Sequence, residues 1–283
     1  MTTTTNTAVL ADPCWLAEHL ADPDVRVIEV DVSAAAYDDW HIDGARLWNV
    51  YGDLKDADYR TVDSAAVEWL VARSGIGPET TVVCYGYAPA FAFWLLKLYG
   101  HGDVRILDCS RDAWRAAGYP RSSVAPPMQP ARYRLVEPDD RLRADYAAVR
   151  AAIANSAVIP VDVRSAAEFD GERFWPSGGM EPGGRAGHVP SAIHQPIDEL
   201  YDARGAFRPA DELRTVFSAI DVDGDQELIT YCTIGGRAAT AWFALTCLLG
   251  RDRVRVYDGS WAEWGRRPGS PVDCATRGST MTA

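Results

Sequence analysis

One unit is written twice in this chain, and that limits its fold more than any other feature. The segment "RVIEVDVSAAAYDDWHIDGA" (26–45) has a counterpart in "AVIPVDVRSAAEFDGE" (157–172), continued after an insertion by "GHVPSA" (187–192). "ETTVVCYG" (79–86) matches "QELITYC" (226–232), and "LYGHGDVRILDCSRDAWRAAG" (98–118) matches "LLGRDRVRVYDGSWAEWGRRPG" (248–269). Order and spacing agree, which makes this a tandem duplication of a unit of roughly 120 residues. The stretch between the copies, "GYPRSSVAPPMQPARYRL" (118–135), is rich in Pro and Ser and reads as a linker. The expected organisation is an N-terminal domain over 8–122, a linker over 123–138 and a C-terminal domain over 139–275.

Within each copy, short β-branched runs alternate with helical stretches. In the second copy "AVIPVDV" (157–163), "ELITYC" (227–232) and "VRVYD" (254–258) read as strands, while 208–220 and 238–249 carry apolar residues at helical spacing. Such alternation implies a parallel sheet covered by helices on both faces. The fold class is therefore α/β, with two similar domains packed together. At 283 residues and 47% hydrophobic composition the chain can build a sizeable core for each.

Charge narrows the partners. The formal net charge is −12, which argues against nucleic acid or an anionic membrane as the main partner. An anionic substrate must be held by a local device, because the overall field repels it. The start of the chain shows no basic and apolar pattern of a secretory signal, and no apolar run reaches membrane-span length. Six scattered cysteines without a CxxC pair suggest neither a zinc site nor a disulfide framework, so a reducing cytoplasm is the expected location. Lys55 and Lys97 are the only lysines among 28 basic residues, which reads as a coding bias and not as a functional signal.

Of the cysteines, Cys232 is placed differently from the rest. It ends a buried strand run and is followed by "TIGGR" and then a helix, and ligands of open α/β sheets bind at that carboxyl edge. Gly235 and Gly236 permit tight curvature, so that the N–H groups of Thr233 and Ile234 and their neighbours can converge on an anion. The helix that follows adds the positive end of its dipole, and together these favour the nucleophilic thiolate. Cys84 lies inside a strand and Cys247 inside a helix, where cysteine is usually a small buried hydrophobe. Cys14, Cys109 and Cys274 carry no pattern. "DVDGD" (221–225) has the look of a calcium loop, but Gln226 and Cys232 stand where that loop needs glycine and glutamate, and no metal is expected.

These motifs, taken in order, resemble the tandem-domain rhodaneses, the thiosulfate and 3-mercaptopyruvate sulfurtransferases. "HIDGA" (41–45) and "GHVPSA" (187–192) resemble the first family signature, and "VDVRSAAEF" (161–169) the strand and turn before it. "YCTIGGRA" (231–238) resembles the active-site loop and "YDGSWAEWGRRPGSPV" (257–272) the C-terminal signature. The resemblance implies a ping-pong reaction without metal or organic cofactor. A Cys232 thiolate takes the sulfane sulfur of thiosulfate or the thiol sulfur of 3-mercaptopyruvate, and the persulfide passes it to cyanide, a thiol or a sulfur-carrier protein. It also implies that the N-terminal copy, with Gly86 in place of the cysteine, is a structural partner walling one side of the cleft.

Supporting roles follow from the same resemblance. Arg237, five positions after the nucleophile, either closes the loop through a carboxylate or faces the donor, and loop closure is the expected role. Asp162 and Arg164 lie near the catalytic loop as a mainly structural pair, and His41 and His188 pack turns. Glu168 stands where some members carry a substrate-binding arginine. Arg185, in the insertion "SGGMEPGGRAGH" (177–188), is a cation that could substitute, although an exposed loop arginine is more often solvated, and Trp175 is positioned to line the cleft.

Three departures bear on specificity. Thr233 is neutral where thiosulfate enzymes tend to have arginine, Gly236 replaces a glutamate, and the N-terminal loop "YGYAPAFAF" (85–93) is short, which should open or reshape the cleft. A dual-specificity phosphatase would need C-x5-R around its phosphate, and the C-x4-R here suits a single sulfur better. A non-enzymatic rhodanese module, which commonly lacks the cysteine, is the other competing class.

Overall fold

The computed structural model describes residues 9–127 and 129–274, so the outer domain limits expected at 8 and 275 lie outside it. The N-terminal copy runs β1 (Leu10–Ala11), α1 (Pro13–His19), β2 (Val25–Asp31), α2 (Ala35–Asp39), β3 (His41–Ile42) and β4 (Arg46–Asn49). It continues through α3 (Ser64–Arg73), β5 (Thr81–Gly86), α4 (Pro89–Leu98), β6 (Val104–Leu107), α5 (Arg111–Ala116) and β7 (Arg121–Ser122). The C-terminal copy runs β8 (Arg143–Ala144), α6 (Tyr146–Ala152), β9 (Val158–Asp162), α7 (Ala166–Phe169), β10 (Ile193–His194) and α8 (Ala210–Val216). It ends with β11 (Glu227–Tyr231), α9 (Gly236–Phe243), β12 (Val254–Tyr257) and α10 (Ser260–Arg266).

The two sheets have the same topology. Strand order is β1-β6-β5-β2-β4 in the first and β8-β12-β11-β9-β10 in the second, and every neighbouring pair is parallel. A short antiparallel pair, β3 with β7, ties the start of the linker to the N-terminal domain. The rest of the linker is laid along that domain, with Ala131 N–H bonded to Ala72 O and Leu135 N–H to Glu68.

Pairing register corrects one detail of the internal alignment. Sequence similarity sets Asp31 over Asp162, yet Tyr231 pairs with Asp162 while its counterpart Tyr85 pairs with Glu29. A two-residue slip keeps every side chain on its own face, so hydrophobic pattern alone does not see it. Each acid is buried and solved differently. Glu29 bonds the Tyr85 hydroxyl and the Arg111 guanidinium, whereas Asp162 is held by Arg164 two residues on. The expected helix over 208–220 is also shorter, spanning α8 only, because the chain leaves helical geometry at Phe217 and the Gln195 side chain takes the Val216 carbonyl and the Ala219 N–H.

Helices α4 and α9 join the domains. Nearly every side chain of α4 is buried, as expected of a helix covered by its own sheet on one side and by another domain on the other. Phe93 lies edge-on to Phe243 with ring centres 4.8 Å apart and tilts against Trp242 at 6.2 Å. One apolar core therefore runs through both copies and brings the carboxyl edge of β11 up against the N-terminal domain. Among the described residues no helix is long and apolar enough to cross a membrane.

Candidate active site

β11 is the central strand of its sheet and is buried along nearly its whole length, so the residue after it emerges at the middle of the carboxyl edge. That residue is Cys232. Its backbone N–H donates to Ser260 Oγ at 3.1 Å, and its carbonyl accepts Trp261 N–H at 2.9 Å. The Thr233 carbonyl accepts Ala262 N–H at 2.9 Å. The first turn of α10 thus holds the loop from below. Ser260 has a left-handed φ of 53°, an uncommon conformation for a residue with a side chain, and its hydroxyl in turn donates to Tyr257 O at 2.8 Å.

The loop turns at Gly235, whose φ is +95°. A Cβ there would lie 2.8 Å from Asp258 O and 3.2 Å from Lys55 Nζ, so both conformation and space demand glycine. The turn aims the Gly235 N–H at the cysteine sulfur, at 3.1 Å. A donor aimed at sulfur stabilises negative charge on it.

Arg237 closes the loop. Its guanidinium makes a forked pair with Glu168 at 2.9 and 2.7 Å and donates to Thr233 Oγ1 at 2.7 Å. Thr233 Oγ1 donates to Glu168 Oε1 at 2.7 Å, and Ser165 caps the other carboxylate oxygen with its N–H and hydroxyl. Burial by itself would raise the Glu168 carboxyl, but the Arg237 bonds and charge, followed by Thr233 and Ser165, hold it down to about 2. Displacement from 4.5 to about 2 corresponds to roughly 3 kcal/mol of folding free energy. That stability is complete above the ordinary glutamate range near 4.5 and is lost as pH falls toward 2. Urea midpoints measured at a series of acid pH values should fall through that window, and Glu168→Gln should lack this part of the fall.

Above Cys232 lies a cleft of about 50 Å³ between the domains, walled by Tyr51, Tyr87 and Phe91 from one copy and Trp175, Ile234 and Arg237 from the other. Tyr51, Tyr87 and Phe91, at or near the short N-terminal loop, narrow it from one side and Trp175 from the other. The Trp175 indole stays fixed through a bond from Nε1 to Glu181 at 3.1 Å. Among the described residues no cluster of His, Cys, Asp or Glu is arranged to hold a metal ion.

The remaining candidates stand apart from the sulfur. Arg185 is not a cleft cation. Its guanidinium donates to the carbonyls of Ser270 at 2.6 Å and Arg267 at 2.7 Å, tying down the end of α10. Asp162 and Arg164 form a buried forked pair, and Arg164 also donates to Gly187 O at 2.6 Å, which fixes the insertion. His41 and His188 bond the carbonyls of Tyr37 and Phe169 and stack on those same rings. Gly236 opens α9 beside Ala88 of the N-terminal domain.

Sequence reasoning missed what three groups do. Glu168, noted only as standing where some members carry an arginine, is the last member of a Ser-x-x-Glu capping box with Ser165, the one sequence signal that could have placed it. Ser260 lies within the C-terminal signature (257–272) and Lys55 in no motif, and nothing in the sequence shows that either meets the loop, from 28 positions beyond Cys232 and 180 before Gly235.

Fold and site together define a duplicated α/β protein with one thiol cradled at the carboxyl edge of one sheet and none in the matching place of the other. The Rhodanese-like domain matches it twice, over residues 12–117 and 145–267, and the chain belongs to the rhodanese family. A Haloferax volcanii protein named "Putative thiosulfate sulfurtransferase" is 38% identical, with 94% of this chain and 96% of that one aligned. The Thermus thermophilus "Sulfur carrier protein TtuD" is 37% identical over 93% of this chain and 96% of its own length. Among solved structures, YnjE superposes with a TM-score of 0.81 at 26% identity, covering 95% of this chain and 68% of that one.

Proposed function

We propose that this protein is a sulfurtransferase that takes the sulfane sulfur of thiosulfate, or the thiol sulfur of a related donor such as 3-mercaptopyruvate, onto Cys232 and passes it to a nucleophilic acceptor. The observation that carries this reading is the Cys232 sulfur itself, which sits at the floor of the interdomain cleft and accepts the Gly235 N–H at 3.1 Å. Relatives named for thiosulfate sulfurtransferase activity and for sulfur carriage support it. In the first half-reaction the thiolate attacks the outer sulfur of thiosulfate. A new S–S bond forms, the old one breaks, and sulfite leaves with its electron pair. In the second, cyanide, a thiolate or a sulfur-accepting protein attacks the outer sulfur, and Cys232 departs as thiolate. With thiosulfate no proton need be moved by a side chain, and the Gly235 N–H offers its dipole to the charge on sulfur. With 3-mercaptopyruvate a C–S bond breaks instead, and the enolate of pyruvate leaves and takes a proton from solvent. A cytoplasmic location goes with this proposal, since the chemistry needs Cys232 reduced.

The loop length suits this chemistry and not phosphate transfer, because four residues between Cys232 and Arg237 leave the guanidinium on Glu168 instead of on a substrate. Exposed Tyr51 and Tyr87 at the rim favour a second reading of the acceptor, a protein whose thiol-bearing tail enters between them and leaves as a persulfide. Incubating the protein with each donor and weighing the intact chain tests the main proposal. One added sulfur, located on Cys232 and removed by cyanide, is expected. No gain with either donor would leave a binding module as the better account.

A further inference from the structure

We propose that Lys55 is a positioning residue for Cys232, a buried cation delivered by the N-terminal domain that supports negative charge on the sulfur. The inference rests on the sulfurtransferase reading of Cys232 given above. Lys55 is only 5% exposed, and its ammonium donates to Asp258 O at 2.8 Å while standing 4.2 Å from the centre of the Phe91 ring. It also packs against Gly235, where an added Cβ would lie 3.2 Å from Nζ, and Gly235 is the residue whose N–H meets the sulfur. Among the described residues Lys55 makes no ion pair. The nearby Asp258 carboxylate is already occupied by Thr61, at 2.7 and 2.6 Å, and by Arg143, at 2.9 Å. A buried ammonium without a carboxylate is costly, and it points to an anion that forms during the reaction.

Internal symmetry sharpens the argument. Lys55 bridges Thr61 as Tyr201 bridges Phe207 in the other copy. The Asp258 carboxylate receives the Thr61 N–H across the interface, as the Asp108 carboxylate receives the Phe207 N–H in the opposite direction. Lys55 and Tyr201 are therefore equivalent positions in the duplicated unit. The copy that faces the thiol loop presents a cation, and the copy that faces the loop with Gly86 presents a neutral phenol. The scarcity of lysine in the chain hid this placement, since a coding bias accounts for the composition but not for this position.

The charges around the pair are few. Asp258, Cys232, Arg143 and Asp56 act on Lys55, whose ammonium burial pushes down to about 8, leaving it charged at neutral pH. Arg237, Tyr51 and Tyr87 face Cys232 from the other walls, with Glu168 behind Arg237. Removing the Lys55 charge should therefore weaken the support for negative charge on the sulfur.

The test is the rate of iodoacetamide alkylation of Cys232 in the full chain from neutral to alkaline pH, read by peptide mass spectrometry because Cys14 and Cys274 are exposed and also react. Lys55→Gln keeps an N–H donor for Asp258 O without the charge, and Lys55→Met removes both. Both variants are expected to slow alkylation about tenfold at neutral pH and to move its profile to higher pH, with the Lys55→Met fold no less heat-stable than the parent. A folded Lys55→Gln with the parental rate and profile would overturn the proposal. So would a loss confined to Lys55→Met, which would assign the effect to the hydrogen bond. If Lys55→Met fails to fold, Lys55→Gln decides alone. Alkylation needs no sulfur donor, so failure of the parent protein to form a persulfide would defeat the transferase reading and leave this result standing.

Discussion

A Cys232→Ser protein is expected to keep its fold and to take up no sulfur from either donor, a loss of at least roughly 10³-fold in transfer rate. Serine differs from cysteine by one atom, and its Oγ can still accept the Gly235 N–H, so the loop survives. The hydroxyl is a far weaker nucleophile at neutral pH, and no base adjoins it in the cleft. Cys84, Cys247 and Cys109 cannot take over. Burial pushes the Cys84 thiol far up, Cys247 up to about 12 and Cys109 up to about 11, so all three stay protonated at neutral pH. Placing the thiol at the matching spot of the first copy should not restore transfer either. Gly86 has φ +106°, and a Cβ there would come within 2.9 Å of Val30 O and 3.2 Å of Glu29 Cγ. Sulfur uptake by Cys232→Ser, or its recovery in a folded Cys232→Ser/Gly86→Cys protein, would count against a single-site mechanism. Mass spectrometry and a cyanide-release assay on the purified variants read both.

The duplication, the alternation of strands and helices and the place of Cys232 were legible because each is written in contiguous residues. Period-2 runs identify strands whatever they pair with, which is also why the two-residue slip of Glu29 against Asp162 stayed hidden. The loop "CTIGGR" (232–237) showed its curvature through glycine, and Gly235 is indeed the left-handed turn. What could not be read was which distant group meets the loop. Thr233 draws attention as the neutral neighbour of the nucleophile, yet it is 2% exposed and its hydroxyl belongs to Glu168 and Arg237. Arg185 had the charge of a substrate ligand, but a guanidinium has five donors and the carbonyls ending α10 were nearer partners. Lys55 meets Asp258 and the loop only when the two copies dock, and docking is decided by α4 and α9.

Arg237→Met should cost about 3–5 kcal/mol, because it leaves Glu168, fully buried, as an uncompensated charge. For a domain pair of ordinary stability that is a large share of the roughly 5–15 kcal/mol available. The carboxylate would keep Thr233 and Ser165, which cannot replace a cation. Its carboxyl should then rise from about 2, so the acid loss of stability that the parent shows between about 4.5 and 2 should shrink in the variant, whose deficit is greatest at neutral pH. The loop should loosen with it, since Arg237 joins Thr233 and Glu168 in one closed set of bonds. Arg237→Met/Glu168→Met removes both charges at once and should regain most of the stability while transfer stays impaired, because methionine does not hold the loop. Urea unfolding of the two variants and the parent, with sulfur uptake measured on the same samples, separates the effects. A single variant as stable as the parent would mean the pair contributes nothing to the fold. A double variant with full transfer would mean that the N–H of Gly235 finds the sulfur without Arg237, and that loop closure is set by α10 alone.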